Sequence, residues 1–293
     1  MALAFERAGS GPPLILLHGV GHRRQAWEAV IDRLTPHRDV VAVDLPGHGE
    51  SPSLQANRPV LEEMLGEVIA LLDGLGLERP HLAGNSLGGR LALQAAAAGR
   101  AASVTALSPA GFWRNDRETR YPKAIFTVLQ VAASRLQHAA PAMSRTTVGR
   151  AVSHGAVVSR PSRLTAEQAL GDMAAFLAAR DALNAVLAQI TPFTGQLLDS
   201  VPVTIAWGTR DRLLRPRQIL MAKARLPQAR LLPLPGCGHV PMTDDPPLVA
   251  DVLLHGSSRG PARQAPVSDY SESVLATGVW PGLIRADCTV RSG

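Results

Sequence analysis

The feature that most restricts what this chain can fold into is one stretch, His81-Leu82-Ala83-Gly84-Asn85-Ser86-Leu87-Gly88-Gly89. A short apolar run ends at Gly84, and an Ala/Leu-rich helical run starts directly after Ser86. A strand and a helix joined through a single serine leave room for one geometry. It is a sharp strand-to-helix turn with the serine hydroxyl presented outward, the G-x-S-x-G arrangement. Ser86 must then hold a strained backbone conformation, and a side chain at position 84 or 88 is expected to collide with the neighbouring strand or helix. The helix N-terminus adds positive partial charge and a free N–H at Leu87, both suited to an oxyanion forming beside Ser86.

The rest of the chain reads as strands alternating with helices. Residues 2–7 are a plausible first strand. The continuous apolar runs at 14–17 and 40–43 have the character of strands buried on both faces. Amphipathic spacing predicts helices over 25–34 and from 60 to a stop at Gly74 and Gly76. The run at 104–107 is the next strand, and such alternation predicts a mostly parallel sheet with right-handed crossovers. It breaks over residues 110–196, which are rich in Ala, Leu and Arg, carry prolines at 122, 141, 161 and 192, and show no strand pattern. This segment is expected to be a helical cap inserted into a core made of 1–109 and 197–256. Strands at 203–207 and 230–234, with helices over 217–225 and 247–254, resume the pattern. Residues 257–293 shift to Gly, Ser, Pro and Arg and are expected to be a disordered or loosely packed tail.

Composition excludes more than it suggests. The net charge is +6, yet the basic residues are scattered arginines with only Lys123 and Lys223 beside them, and aromatics are 4%. That pattern argues against nucleic acid as a partner. Cys237 and Cys288 form neither a disulfide framework nor a metal motif. Without a leader pattern or a run of 18 apolar residues, the expectation is a cytoplasmic protein with no membrane partner.

A serine hydroxyl needs a base to take its proton, and the base needs a third group to orient it. In an open parallel sheet such groups come from the loops after strand C-termini. Asp211 follows the run ending at Trp207, and His239 follows the run ending near Leu234. Asp211 also fits a helix N-cap, His239 a solvated loop histidine, and Asp116 is a second, more distant candidate acid.

Five signatures stand in one order: His18-Gly19, Asp44-Leu45-Pro46-Gly47-His48-Gly49-Glu50-Ser51, Gly84-Asn85-Ser86-Leu87-Gly88-Gly89, Gly208…Asp211 and Gly238-His239. In these the chain resembles the α/β-hydrolase-fold superfamily, over roughly residues 3–254. The resemblance implies an α/β core with an inserted helical cap, Ser86 as nucleophile, His239 as general base and Asp211 as its orienting acid. It further implies an oxyanion hole from the backbone N–H groups of Val20 and Leu87, and no cofactor or metal. His18, Asp44 and His48 are read as shaping the loops rather than reacting. Ser86 sets the chain apart from the branches that use an aspartate nucleophile, namely relatives of epoxide hydrolases and haloalkane dehalogenases.

What remains is acyl transfer from an ester, thioester, amide or lactone of a mainly apolar small molecule. Asn85 is similar to the Asn-Ser pair of C–C hydrolases acting on ring-fission products, although Val240 stands where those enzymes tend to carry tryptophan. Perhydrolases share the triad, and some members of the superfamily only bind a ligand. Asn85, Phe112, Trp113 and Val240 are the candidate substrate contacts, with Phe126, Val128, Leu129, Phe176, Leu177, Leu183 and Leu187 as a possible apolar lid. The expected assembly is a monomer or homodimer.

Overall fold

Five mostly apolar segments are buried at every position or at all but the first: β2 (Pro13–Leu17), β3 (Asp39–Val43), β4 (His81–Asn85), β5 (Ser103–Leu107) and β6 (Val203–Gly208), as strands covered on both faces require. The computed structural model describes residues 2–55, 59–115 and 117–258. With β1 (Phe5–Gly9) and β7 (Arg230–Leu234) these strands form a seven-stranded sheet in the order β1-β3-β2-β4-β5-β6-β7. All neighbours pair in parallel except β1, which runs antiparallel along the β3 edge. β1 begins three residues later than expected and is exposed along its length, so no buried face marks its bounds. β7 carries Pro233, which an edge strand tolerates because its outer N–H has no partner to lose.

Helices follow the strands as the crossovers require. The first expected helix is split into a 3-10 turn, Arg24–Trp27, and α1 (Glu28–Leu34), with Trp27, Val30 and Leu34 fully buried. α2 (Val60–Gly74) buries Leu61, Met64, Val68 and Leu72. Its end is marked by Gly76 at φ +68°, with Gly74 still inside the helix. α3 (Leu87–Ala97) leaves the elbow at Ser86 and packs on β4 and β5. Between β5 and β6 lie α4 (Arg117–Leu136), α5 (Ala140–Ser144), α6 (Thr147–His154), α7 (Ala166–Ala178) and α8 (Arg180–Gln189), with no strand among the described residues. α9 (Gln218–Arg225), α10 (Pro241–Asp244) and α11 (Pro246–Gly256) complete the fold. Ser257, assigned from sequence to the tail, is buried, and its hydroxyl accepts a hydrogen bond from Arg38 at 2.9 Å. The rest of the tail, from 259, lies outside the described residues. Among the described residues no helix is long and apolar enough to cross a membrane.

The elbow is held by backbone packed on backbone. A Cβ on Gly84 would lie 2.2 Å from the carbonyl carbon of Gly88, and one on Gly88 would lie 2.0 Å from the Leu17 carbonyl oxygen. Neither neighbour is a side chain that can swing away. Gly88→Ala is expected to destabilise the fold by about 3 kcal/mol or more, or to prevent its recovery as soluble protein. Gly76→Ala has open space around it and only a left-handed backbone to strain, and is expected to cost about 1–2 kcal/mol. Chemical denaturation of both variants checks the contrast.

Candidate active site

Three strand ends deliver the three sequence-predicted residues to one edge of the sheet. Ser86, at the end of β4, has φ +54° and ψ −111°. Such a backbone is costly for a non-glycine residue. The Ser86 N–H donates to the Leu107 carbonyl, while its own carbonyl accepts from Arg90 and Ala110, so the turn is tied to β5 and α3. Asp211 follows β6 and His239 follows β7. The imidazole Nδ1 lies 2.8 Å from Asp211 Oδ2, and both side chains are buried. Asp211 Oδ1 accepts from the Leu213 and Leu214 backbone N–H groups at 2.9 and 2.8 Å, which fixes the carboxylate plane. Its alternative as a cap of α9 is not what forms: the N-cap there is Arg217. Asp116 lies outside the described residues.

Ser86 and His239 line one cavity of about 150 Å³ together with Val20, Asn85 and Val240. The helical segment between β5 and β6 closes it with Phe126, Leu129, Met173 and Phe176, the two phenylalanine rings 6.4 Å apart. A second pocket of about 30 Å³ also borders Ser86 and is lined by Val20, Leu87, Trp113 and Leu187. Ser86 therefore borders both a larger apolar chamber and a smaller one.

Of the expected substrate contacts, Asn85 and Val240 line the larger chamber and Trp113 the smaller, while Phe112 does not. Phe112 is fully buried, borders neither chamber, and packs against Phe193 at 5.7 Å with the Arg225 guanidinium over its ring. Asn85 lines the chamber, but its amide donates to the carbonyls of Leu107 and His239 at 3.1 and 2.9 Å. It ties the elbow to the histidine loop. Of the expected lid residues, Val128 faces solvent and Leu183 is buried in the core of the insertion.

The loop carrying Val20 is clamped by two histidines. His18 Nδ1 donates to the Gly19 carbonyl at 2.8 Å, and its Nε2 accepts the Leu45 N–H at 2.9 Å. His48 Nδ1 donates to the Pro46 carbonyl, and its Nε2 accepts the Gly21 N–H, each at 3.0 Å. Each ring uses one nitrogen as donor and one as acceptor, which only a neutral imidazole can do. Burial, reinforced by His48, holds His18 well below its ordinary value, and burial brings His48 to about 4. Asp44 anchors the same loop, accepting from the Arg24 and Glu50 backbone N–H groups at 2.6 and 3.0 Å and pairing with the Arg24 guanidinium.

Residues that sequence reasoning missed complete the site. Asp244, fully buried, accepts from the backbone N–H groups of Gly238, Ser159 and Arg160 at 2.7, 3.1 and 2.6 Å. It stitches the loop of His239 to the loop between α6 and α7, where the Val157 carbonyl also accepts from His239 and Val240. Burial raises its carboxyl above the ordinary value, with the three N–H donors pulling the other way. Asp244-Asp245 before two prolines reads as a capping pair. Asp245 is the cap, accepting from Leu248, which leaves Asp244 free for the loop. His22, His154 and Asp172 give the otherwise apolar chamber one polar corner, with His22 Nε2 3.9 Å from Asp172 Oδ2. Among the described residues no group of three His, Cys, Asp or Glu side chains is placed to hold a metal ion.

A buried serine at a strained elbow, sharing a cavity with an imidazole backed by a carboxylate, has the parts for proton transfer from the hydroxyl. The model of the Alpha/beta hydrolase family matches residues 14–252, the whole span of these elements. The chain belongs to the alpha/beta hydrolase family. This hydrolase is 32% identical over 261 residues to an uncharacterised protein of Mycobacterium tuberculosis, Rv2715, covering 85% of the chain and 76% of that protein. It is 28% identical to a pimeloyl-[acyl-carrier protein] methyl ester esterase of Aeromonas hydrophila, covering 87% of the chain and 99% of the esterase. Its fold is also that of a solved bacterial membrane phospholipase A, with TM-score 0.68, 26% identity and coverage of 88% and 84%.

The clamp makes the hydrolase sensitive to acid. A histidine held below its unfolded value contributes fully above about 6.5 and loses that contribution as pH falls towards the folded value, here about 4 for His48. That difference corresponds to at most about 3 kcal/mol. Thermal melts from about pH 7 to pH 4.5 are expected to show a falling Tm, and His48→Gln is expected to shrink the fall. Asp244→Ala leaves three N–H groups, that of Gly238 buried and those of Ser159 and Arg160 half-buried, without an acceptor and is expected to cost about 3 kcal/mol in denaturant unfolding.

Proposed function

We propose that this protein is a serine hydrolase that cleaves a carboxylic ester, or a related acyl bond, of a mainly apolar small molecule through an acyl-enzyme on Ser86. The observation that carries the reading is the shared chamber of Ser86 and His239, with Asp211 Oδ2 2.8 Å behind the imidazole. Ser86 Oγ attacks the acyl carbon while His239 Nε2 takes its proton. Asp211 accepts from Nδ1–H, which sets the tautomer and supports the imidazolium. The tetrahedral oxyanion is received by the Leu87 and Val20 backbone N–H groups, the first at the start of α3 and the second on the loop clamped by His18 and His48. Collapse expels the alcohol, protonated by His239, and water then releases the acid by the same steps in reverse order.

The unequal chambers supply a substrate shape. An ester bound at Ser86 places its longer apolar part in the 150 Å³ chamber, whose corner at His22 and Asp172 suits one polar substituent. The 30 Å³ pocket has room for a group of methyl size. The hydrogen bonds of Asn85 to two backbone carbonyls give it a positioning role that ester cleavage also requires.

A fluorophosphonate is expected to label the protein once, at Ser86, and Ser86→Ala is expected to abolish both labelling and turnover of p-nitrophenyl esters. Asp211→Asn is expected to lower kcat by about 10⁴ with the fold retained. Ester turnover persisting in Ser86→Ala overturns the mechanism, and loss limited to a few fold in Asp211→Asn moves the acid elsewhere.

A further inference from the structure

The helical segment over the chamber carries apolar residues on the side that faces water as well as on the side that faces the cavity. Along α4 the inward positions include Pro122, Phe126 and Leu129. The outward positions include Tyr121, Val128 and Val131, with Val128 66% exposed. On α6, one turn apart, Val148 and Val152 are 74% and 65% exposed. The outer side of α4 is mixed, with Arg117, Arg120, Thr127 and Arg135 exposed beside its apolar residues. Leu136 and Val152 are exposed and also line the 150 Å³ chamber, so the apolar surface runs continuously into its mouth. Isolated surface valines need no explanation, but a cluster around the opening of a cavity marks an interaction site.

Charge identifies the partner. From Thr119 to Ala166 the chain carries seven Lys and Arg and no Asp or Glu over 48 residues. The whole chain balances at +6, so the remaining 245 residues sum to −1. All of the excess positive charge lies on the segment that carries the apolar rim. Arg120, Arg135 and Arg145 are exposed there and have no ion pair among the described residues. Two copies joined symmetrically through this face would oppose Arg120, Arg135 and Arg145 to the same three arginines, which disfavours a symmetric dimer. Exposed apolar residues set among unpaired arginines are the composition of helices that lie in the interface of an anionic lipid layer.

We propose that the α4–α6 face docks on an anionic lipid surface, with Val128, Val131, Val148 and Val152 entering the acyl boundary and Arg135 and Arg145 at the headgroups. An acyl chain then passes over Leu136 and Val152 into the chamber, which makes membrane lipids or surface-dissolved amphiphiles the substrate class. The substrate class rests on the hydrolase reading above; the docking does not. Surface docking requires no spanning helix, so the lack of one, which underlay the expectation of no membrane partner, does not oppose it.

Sedimentation of the full chain with vesicles of phosphatidylcholine, with and without phosphatidylglycerol, tests the proposal. Partition onto the anionic vesicles is expected to exceed that onto neutral ones by at least about tenfold and to weaken as salt is raised. The double variant Val128→Asp/Val148→Asp changes the two most exposed valines, neither of which borders the chamber. It is expected to lose at least about tenfold in vesicle binding while keeping its Tm within about 2 °C and short-ester turnover within about twofold. Ser86→Ala is expected to bind vesicles like the parent, so failure of the hydrolase reading and failure of docking are told apart. No preference for anionic vesicles, or undiminished binding by the double variant, overturns the proposal. So does self-association that the double variant abolishes, since the face would then meet a second copy.

Discussion

The approach of α3 to β2, backbone against backbone, is the contact on which the rest of the structure depends. Gly88 lies against the Leu17 carbonyl with no room for a methyl group, and Gly84 lies against Gly88 itself. This closeness lets β4 turn into a helix within one residue and forces Ser86 into its left-handed backbone. It also brings the loop after β2, with Gly19 and Val20, alongside the serine. A Cβ on Gly19 would stand 3.3 Å from both the Asn85 Oδ1 and the Ser86 Cβ. The strained Ser86, the adjacent loop after β2 and the placing of the α3 N-terminus are therefore consequences of one steric fact.

Around that contact, polar groups are spent on holding loops. His18 and His48 give both ring nitrogens to backbone atoms, Asn85 gives its amide to two carbonyls, and Asp244 gathers three N–H groups. Buried polar groups with every partner in place rigidify a site, whereas an incomplete set would weaken it. Apart from Ser86, His239 and Asn85, the side chains that meet the chamber are mostly apolar, with His22, Ser153, His154 and Asp172 adding polar groups.

Much of this was legible in the chain itself, for identifiable reasons. A strand buried on both faces is an apolar run, so β2, β3, β5 and β6 were readable, as was the elbow, whose glycines are sterically obligatory. The solvent-exposed edge strand β1 carries no such signal and was misplaced by three residues at its start. Along α4 apolar residues stand on the outer side as well as the inner, so periodicity alone does not say which of them face the chamber, and Val128, expected in the lid, faces solvent. Phe112 was misjudged because proximity to a strand end says nothing of the direction of a side chain, and here Phe193 covers it. Asp244 was hidden by its neighbour, because two adjacent acids before a proline leave open which one is the cap.

The Val157 carbonyl, in the loop between α6 and α7, receives the N–H groups of both His239 and Val240. The roof of the chamber and the His239 loop beneath it are thus joined by backbone hydrogen bonds. A movement of residues 157–160 away from the sheet would break these bonds or shift the imidazole with them. For engineering, the roof is not an interchangeable module. A transplanted roof would have to bring its own residues 157–160 and a matching acid at 244, or the histidine would lose its seat.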